Sequence, residues 1–178
     1  MLLLYIMPLN FEFKARTTRL QQLEERLQPY QPQFKGVDHQ IDTYFNVSQG
    51  RLKLREGAIE NALIHYQRHN IAGAKQSDVL LYEHEPNPAL KQVLTAALGV
   101  KVVVDKQRRI YFIDNVKFHF DVVKELGTFV EVEAIDRDGT IGLAKLQEQC
   151  RYYSRLFELT EEDYVAESYS DLLLKTLV

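Results

Sequence analysis

The ionisable residues of this chain concentrate in short segments in which charged and apolar residues alternate. Four segments show this alternation, 10–16, 50–55, 117–121 and 129–134, and in a fifth, 104–108, Lys106 and Arg108 fall two positions apart on one strand face. Because successive side chains point to opposite faces of a β-strand, each of the four presents one charged row and one apolar row. A single strand of this kind is ordinary in a half-buried antiparallel sheet. Gathered around one cavity, the charged rows would bind a polyanion together with a divalent cation.

The clearest carboxylate pair is Glu131 and Glu133, two residues apart in a segment whose other positions are apolar. Two like charges this close repel each other, and a bound Mg²⁺ or Mn²⁺ would relieve the repulsion, since hard cations prefer oxygen ligands. The alternative is a solvated strand face. Glu12 shares a face with Lys14, so it is either a further ligand or the ion-pair partner of that lysine. Asn10 supplies at most an amide oxygen.

A basic set accompanies these carboxylates. A triphosphate carries about four negative charges, so several Lys and Arg side chains from different strands are needed to hold it. The candidates for triphosphate binding are Lys14, Arg16, Lys53, Arg55, Arg68, Lys106 and Arg108. Each one taken alone could be an ordinary exposed side chain. The prediction depends on the number of strands that share the pattern.

Other catalytic patterns are weak or absent. His119 and Asp121 share a strand face and could be a base and its orienting partner, but we interpret His119 as a packed or hydrogen-bonded residue. The sequence has no phosphate-binding glycine loop, no G-x-S-x-G and no zinc-type histidine spacing. Phosphate binding would therefore come from side chains on strands.

Composition restricts the class of protein. With 178 residues, residues 1–178 are predicted to form a single domain, with residues 1–8 as an N-terminal extension. The net charge of −3 argues against a nucleic-acid binder. The single cysteine, Cys150, excludes an intrachain disulfide and suits a reducing cytoplasm. The apolar start, residues 1–7, is too short to span a membrane, so we predict a cytoplasmic protein without a membrane association.

The apolar spacing and the turn residues predict mainly strands. The predicted strands are Leu9–Arg16, Gln40–Phe45, Gly50–Arg55, Ala62–Arg68, Ser77–Glu85, Lys101–Arg108, Arg109–Ile113, Val116–Val123 and Thr128–Ile135. The predicted helices are Thr18–Leu27, Ala89–Leu98, Ile141–Leu156 and Glu161–Glu167. About eight strands in sequential hairpins predict an α+β, mainly antiparallel fold, closed into an eight-stranded barrel or tunnel with peripheral helices.

The sequence motifs of this chain resemble those of a known family. The segment Asn10-Phe-Glu12-Phe-Lys14 is similar to the amino-terminal E-x-E-x-K signature of the CYTH superfamily, the triphosphate tunnel metalloenzymes. Further motifs follow in the family's order: Gln40-x-Asp42-x-Tyr44-Phe45, Gly50-Arg-Leu-Lys-Leu-Arg55, Leu63-Ile-x-Tyr66-x-Arg68, Lys75-x-Ser77, Lys106-x-Arg108, His119-x-Asp121 through Glu131-x-Glu133, and Ser168-Tyr169-Ser-Asp171. The branch that it resembles is that of the class IV adenylate cyclases, in which G-R-L-K-L-R is typical.

The resemblance implies an eight-stranded tunnel, a cofactor of Mg²⁺ or Mn²⁺, and a small-molecule triphosphate as substrate. It implies that the metal ligands are Glu12, Glu131 and Glu133, and that the phosphate is bound by Lys14, Arg55, Lys106 and Arg108. It also implies a catalytic set of Asp121, Lys14 and Arg55, in which Asp121 orients the metal or accepts a proton.

The sequence departs from the family pattern at two positions. Asn10 stands where the first glutamate of the signature is expected, which removes one anionic ligand. The lysine usual on the fourth strand is missing, and Arg68 is assigned its role. We interpret the chain as an adenylate-cyclase-like lyase that converts ATP to cyclic AMP and pyrophosphate. The alternatives are a triphosphatase acting on thiamine triphosphate or tripolyphosphate, and a non-catalytic nucleotide or polyphosphate-binding module. The sequence leaves a homodimer open.

Overall fold

The computed structural model describes residues 9–67 and 75–177. The eight strands are β1 (Leu9–Arg16), β2 (Gln33–Phe45), β3 (Arg51–Glu56), β4 (Ala62–Gln67), β5 (Lys75–Glu83), β6 (Val100–Ile113), β7 (Val116–Val123) and β8 (Gly127–Asp136). The helices are α1 (Leu20–Leu27), α2 (Pro88–Leu98), α3 (Leu143–Leu156) and α4 (Tyr169–Thr176), with a 3₁₀ turn at Gln28–Tyr30. Arg68 and residues 1–8 lie outside the described residues.

The strands form a closed antiparallel barrel in the order β1-β5-β4-β3-β2-β6-β7-β8. The shortest seam joins β1 to β5 through the pairs 10↔77, 11↔76 and 12↔75. Beyond that seam, β1 pairs instead with the segment before α4: Val165 N donates to Lys14 O at 2.9 Å, and Arg16 N donates to Asp163 O at 2.8 Å. The predicted antiparallel barrel with peripheral helices is confirmed.

The apolar rows of β1, β7 and β8 face outward, and α1 and α3 cover them. Phe13 on β1, Phe118 on β7 and Val132 on β8 pack in one cluster with Leu23 of α1 and Leu146 of α3. All five are at most 2% exposed. Burial of this apolar layer outside the barrel stabilises the fold and leaves the charged rows facing the lumen.

Several predicted boundaries were wrong. The strands predicted at Lys101–Arg108 and Arg109–Ile113 form one continuous strand, β6, which pairs with both β2 and β7. The prediction of sequential hairpins fails at β1, which lies between β5 and β8, and at β2, which pairs with β6. The helix predicted at Glu161–Glu167 does not form, because its backbone pairs with β1. The last helix, α4, begins instead at Tyr169, where Ser168 and Asp171 form a capping box.

The buried thiol of Cys150 donates to Phe11 O at 3.2 Å, as expected of a packing residue. Among the described residues, no helix has the length and apolar character needed to cross a membrane.

Candidate functional site

The barrel encloses a cavity of about 1670 Å³. Eight of the predicted site residues line it: Glu12, Lys14, Lys53, Arg55, Lys106, Arg108, Glu131 and Glu133. The strand phase expected from the sequence therefore places these charged residues around a single space. The cavity also brings in charged residues to which the sequence analysis assigned no role: Asp42, Glu60, Lys117 and Arg137.

One wall of the cavity is basic and is formed by the adjacent strands β3, β2 and β6. At its centre Asp42 accepts hydrogen bonds from Lys53 Nζ at 3.1 Å, from Arg55 Nε and Nη2 at 2.9 Å each, and from Lys106 Nζ at 2.8 Å. The Asp42 side chain is 2% exposed. Three cations thus share one carboxylate, and the carboxylate fixes their positions.

The basic wall carries more positive charge than Asp42 neutralises. Burial lowers the pKa of Lys106 to about 7; Asp42 opposes this effect, whereas Arg55 and Arg108 add to it. Burial alone would raise the pKa of Asp42, but Arg55, Lys106 and Lys53 outweigh it and hold that pKa well below its usual range. An anion that entered beside Lys106 would find a site already organised to receive it.

The facing wall is acidic and is formed by β1 and β8. Glu12 and Glu133 are directly opposite each other in the β1–β8 register. Burial, followed by the charge of Glu12, raises the pKa of Glu133 to about 7. Asn10 Nδ2 donates to Glu133 Oε1 at 2.6 Å, while Asn10 Oδ1 is buried without a hydrogen-bond partner among the described residues. Lys117, opposite Glu133 on β7, only partly offsets the effect of burial and of Glu12 on the pKa of Glu133.

The two walls face each other across the lumen. In the ring of eight strands, β2 lies four positions from β1 in either direction. Asp42 and its three cations are centred on β2, and the Glu12–Glu133 pair lies on β1 and β8. The lumen is therefore bipolar, with a basic wall opposite an acidic wall.

A layer of ion pairs lies between the walls. Glu131 Oε2 accepts from Arg108 Nη2 at 2.9 Å, and Glu131 Oε1 lies 3.4 Å from Lys14 Nζ. Burial would raise the pKa of Glu131, but Arg108 and Lys14 outweigh it and hold the pKa well below its usual range. Glu131 is thus ion-paired with Arg108 and Lys14, and its pKa is shifted in the opposite direction to that of Glu133.

Asp121 was expected to face the cavity, and the structure places it elsewhere. Its side chain is fully buried behind Arg108. Arg108 donates to it from Nε at 2.7 Å and from Nη2 at 2.5 Å. Tyr169 Oη donates to Asp121 Oδ2 at 2.8 Å, the same oxygen that accepts from Arg108 Nη2. The carboxylate is absent from the residues that line the cavity. With both oxygens engaged by protein donors, Asp121 orients Arg108.

Arg16 also lies away from the cavity. Its guanidinium donates to Leu126 O and lies 4.5 Å from the centre of the Phe129 ring. Arg16 is the last residue of β1, beyond the level of Lys14, and the end of the barrel provides these local partners.

His119 is hydrogen-bonded, as interpreted from the sequence. Its Nδ1 lies 3.2 Å from Glu131 Oε2. Burial, with Arg108 and Lys117, lowers the pKa of His119 to about 4, so the imidazole is neutral at physiological pH.

Different elements form the two ends of the cavity. At one end Ser168 and Tyr169 at the start of α4 enter the lining, and Lys14 Nζ lies 4.0 Å from the centre of the Tyr169 ring. Asp171 of α4 is held by Arg51 of β3 at 2.6 Å. The opposite end, called here the apolar end, combines the charged side chains Glu83, Glu85 and Arg137 with apolar residues of the β3–β4 turn, of β5, of α2 and of the adjoining strands: Ala58, Ile59, Leu81, Tyr82, Leu90, Phe112 and Ile135. Ile59, Leu81 and Tyr82 are 44%, 53% and 66% exposed.

The residues fit a divalent cation at the acidic wall. Glu12 and Glu133 are opposed, the pKa of Glu133 is raised, and the buried Asn10 oxygen can ligate a hard cation. In the described part of the chain, however, no three acidic, histidine or cysteine side chains are close enough to one another to hold a metal ion. Binding would therefore require side-chain rearrangement at this wall.

The closed antiparallel barrel and its bipolar, charge-lined lumen are those of a tunnel protein. Comparisons of this chain with known proteins point to the same class. The CYTH domain family matches residues 9–169. The chain belongs to this family. No curated protein sequence matches the chain at a significant level.

Solved structures share the fold. The PH1012 protein from Pyrococcus horikoshii OT3 has a TM-score of 0.74 at 22% identity, over 92% of this chain and 98% of that chain. A candidate adenylate cyclase from Vibrio parahaemolyticus has a TM-score of 0.74 at 19% identity, over 93% and 97%. The candidate adenylyl cyclase HpAC1 from Hippeastrum, described as having a dominant triphosphatase activity, has a TM-score of 0.60 at 14% identity, over 96% of both chains. These likenesses establish the tunnel fold.

Proposed function

We propose that this chain is a metal-dependent enzyme that cleaves a triphosphate inside the barrel. The observation that carries the proposal is the bipolar lumen. On one wall Lys106 is buried among cations, and on the other Glu133 is buried beside Glu12. A triphosphate bound together with a divalent cation would neutralise both walls at once.

The roles follow from the geometry. Lys53, Arg55 and Lys106, held by Asp42, would bind phosphate oxygens. Arg108, oriented by Asp121, would bind the phosphate chain between the walls. Such preorganised cations stabilise charge that develops on phosphoryl oxygens in the transition state.

Mg²⁺ or Mn²⁺ is the expected cofactor, and Glu12, Glu131 and Glu133 are its proposed ligands. Glu131 would have to exchange part of its contact with Arg108 and Lys14 for the cation. When bound, the metal would neutralise phosphate charge and hold the reacting phosphate in place.

The apolar end of the cavity favours an organic triphosphate over inorganic tripolyphosphate. With Tyr169 at the opposite end, a substituent on the triphosphate would lie against Ile59, Tyr82 and Phe112. An adenosine or a thiamine moiety offers apolar surface to such a lining. We therefore keep an adenylate-cyclase-like reaction as the main proposal, in which the ribose 3′-hydroxyl attacks the α-phosphorus and pyrophosphate leaves.

The second candidate is a triphosphatase, in which water attacks the γ-phosphorus. The same cation set supports it, because the triphosphate grip serves both reactions. A product-resolved assay decides between them. Purified protein is incubated with Mg²⁺ or Mn²⁺ and ATP, thiamine triphosphate or tripolyphosphate. Cyclic AMP with pyrophosphate indicates a cyclase, and orthophosphate indicates a triphosphatase. Binding without turnover of any of the three indicates a binding module.

A further inference from the structure

Glu60 extends into the cavity from the β3–β4 turn and joins two cations on different sides of the lumen. Its Oε2 accepts from Arg55 Nη1 at 3.1 Å, and its Oε1 is bound by Lys117 Nζ. Arg55 is on β3 and Lys117 is on β7, two strands that are separated by β2 and β6 in the ring. The carboxylate therefore connects cations that no strand pairing brings together.

The backbone beneath Glu60 is firmly anchored. Asp38, which is fully buried, accepts hydrogen bonds from Ile59 N at 2.9 Å and from Glu60 N at 3.0 Å. Gly57 and Asn61 bond each other across the turn at 3.1 and 2.9 Å. A Cβ at Gly57 would lie 2.7 Å from the Asp38 carboxylate, so the turn packs tightly on its anchor. The side chain of Glu60 is 24% exposed and also accepts a hydrogen bond from Gln40 Nε2 at 3.0 Å.

The two cations have donors that a phosphate could use. Arg55 Nε and Nη2 are engaged by Asp42, and its Nη1 is directed to Glu60. Lys117 lies opposite Glu133 in the β7–β8 register, beside the acidic wall. Burial would raise the pKa of Glu60, but Lys117 and Arg55 outweigh it and keep the carboxylate ionised. The environment is therefore arranged for an anion.

We propose that Arg55 and Lys117 form a further anion-binding subsite near the apolar end of the cavity, which Glu60 fills until a phosphate group of the substrate displaces it. The inference rests on the proposed function and extends it to a phosphate near the acidic wall. A phosphate carries more charge and more acceptor oxygens than a carboxylate, so it competes effectively for the same two cations. The displaced Glu60 side chain would turn toward the apolar end of the cavity.

This subsite predicts opposite effects of two substitutions on anion binding. Glu60→Gln removes the competing charge and its repulsion of the incoming phosphate, so binding should tighten. Lys117→Met removes a ligand, so binding should weaken. If Glu60 served only to position Arg55 and Lys117, Glu60→Gln would weaken binding instead.

The test is isothermal titration of tripolyphosphate into the full chain in EDTA, where no metal supports turnover. We expect Glu60→Gln to bind about threefold tighter or more. We expect Lys117→Met to bind about fivefold more weakly or more. Glu56→Gln is the matched control, because Glu56 pairs with Lys91 and does not line the cavity; its affinity should be unchanged.

Unchanged or weaker binding by folded Glu60→Gln would overturn the subsite. If that variant fails to fold, Lys117→Met decides alone, and wild-type affinity in it would overturn the subsite. These outcomes leave the proposed function in place as long as the wild-type protein binds tripolyphosphate. If the wild-type protein binds neither tripolyphosphate nor ATP, the proposed function and the subsite both fail.

Discussion

Asn10 Nδ2 donates a hydrogen bond to Glu133 Oε1 across 2.6 Å, from the first strand of the barrel to the last. Asn10 is the main departure from the family signature, and Glu133 is the lumen carboxylate whose pKa is raised most clearly. Asn10 stands where the family signature has a glutamate, so the acidic wall has a neutral hydrogen-bond donor in place of a third negative charge. The remaining oxygen of Asn10 is buried without a partner among the described residues.

Asn10→Glu should therefore lower the Mg²⁺ or Mn²⁺ concentration needed for half-maximal turnover. A further formal charge a few ångströms from a partly desolvated cation contributes on the order of 1 kcal/mol or more at an effective dielectric constant near 20. The apo variant should melt at a lower temperature, because three carboxylates then face one another. Gln107→Glu adds the same charge on the exposed side of β6 and is the control. An unchanged or raised half-saturation point would exclude position 10 from the metal site.

Glu133→Gln should abolish metal-dependent turnover and leave the protein folded. It should also change how stability depends on pH. The folded pKa of Glu133, about 7, lies above its unfolded value, so the stability that this group contributes is fully present below the unfolded pKa and is lost as the pH rises through 7. The apo wild type should lose stability relative to Glu133→Gln between about pH 4.5 and 7. Melting curves at several pH values measure this, with the exposed Glu148→Gln as control. Parallel curves for wild type and Glu133→Gln would contradict the assignment.

Lys106 should take up a proton when a polyanion binds at pH 8. Its pKa of about 7 leaves most of the amine neutral at that pH, and a bound phosphate would favour the charged form. Titration of tripolyphosphate in two buffers of different ionisation enthalpy measures the uptake. Lys106→Met should lose the proton uptake. Lys53→Met should bind tripolyphosphate more weakly but retain the proton uptake. Equal uptake by Lys106→Met and wild type would refute this role.

Asp42→Asn should destabilise the protein, because it leaves three buried cations without their shared carboxylate. Breaking a buried ion pair by removing one partner typically costs about 3 kcal/mol or more. Asp105→Asn removes a partly exposed carboxylate that pairs with His39, and it should cost less than about 1 kcal/mol. Denaturant unfolding of both variants measures the difference. Similar losses for the two variants would show that Asp42 does not organise the basic wall.

The strands that position the site could be predicted because their alternation is local. β1 and β7 have the predicted bounds, since charged and apolar residues alternate along each of them. The apolar face of these strands packs against α1 and α3, which is why so many charged residues face inward. This arrangement follows from strand geometry once the barrel is assumed.

Pairing between distant segments could not be predicted in the same way. Asp42 lies in a single motif, and its role depends on cations from β3 and β6. Glu60 is in a turn with no motif, and it reaches Lys117 across the curved sheet β3-β2-β6-β7. The helix predicted at Glu161–Glu167 was wrong because the free edge of β1 provides backbone partners. The fully buried position of Asp121 depends likewise on Arg108 and Tyr169.

The most direct test of the bipolar lumen is a crystal structure of the protein grown with Mn²⁺ and tripolyphosphate. The electron-density map would locate the phosphate, and an anomalous difference map would locate the manganese. The bipolar lumen predicts phosphate density within hydrogen-bonding distance of Lys106 and Arg55, and a manganese peak beside Glu12 and Glu133. Phosphate density confined to the outside of the barrel, or a manganese peak away from those two carboxylates, would contradict it.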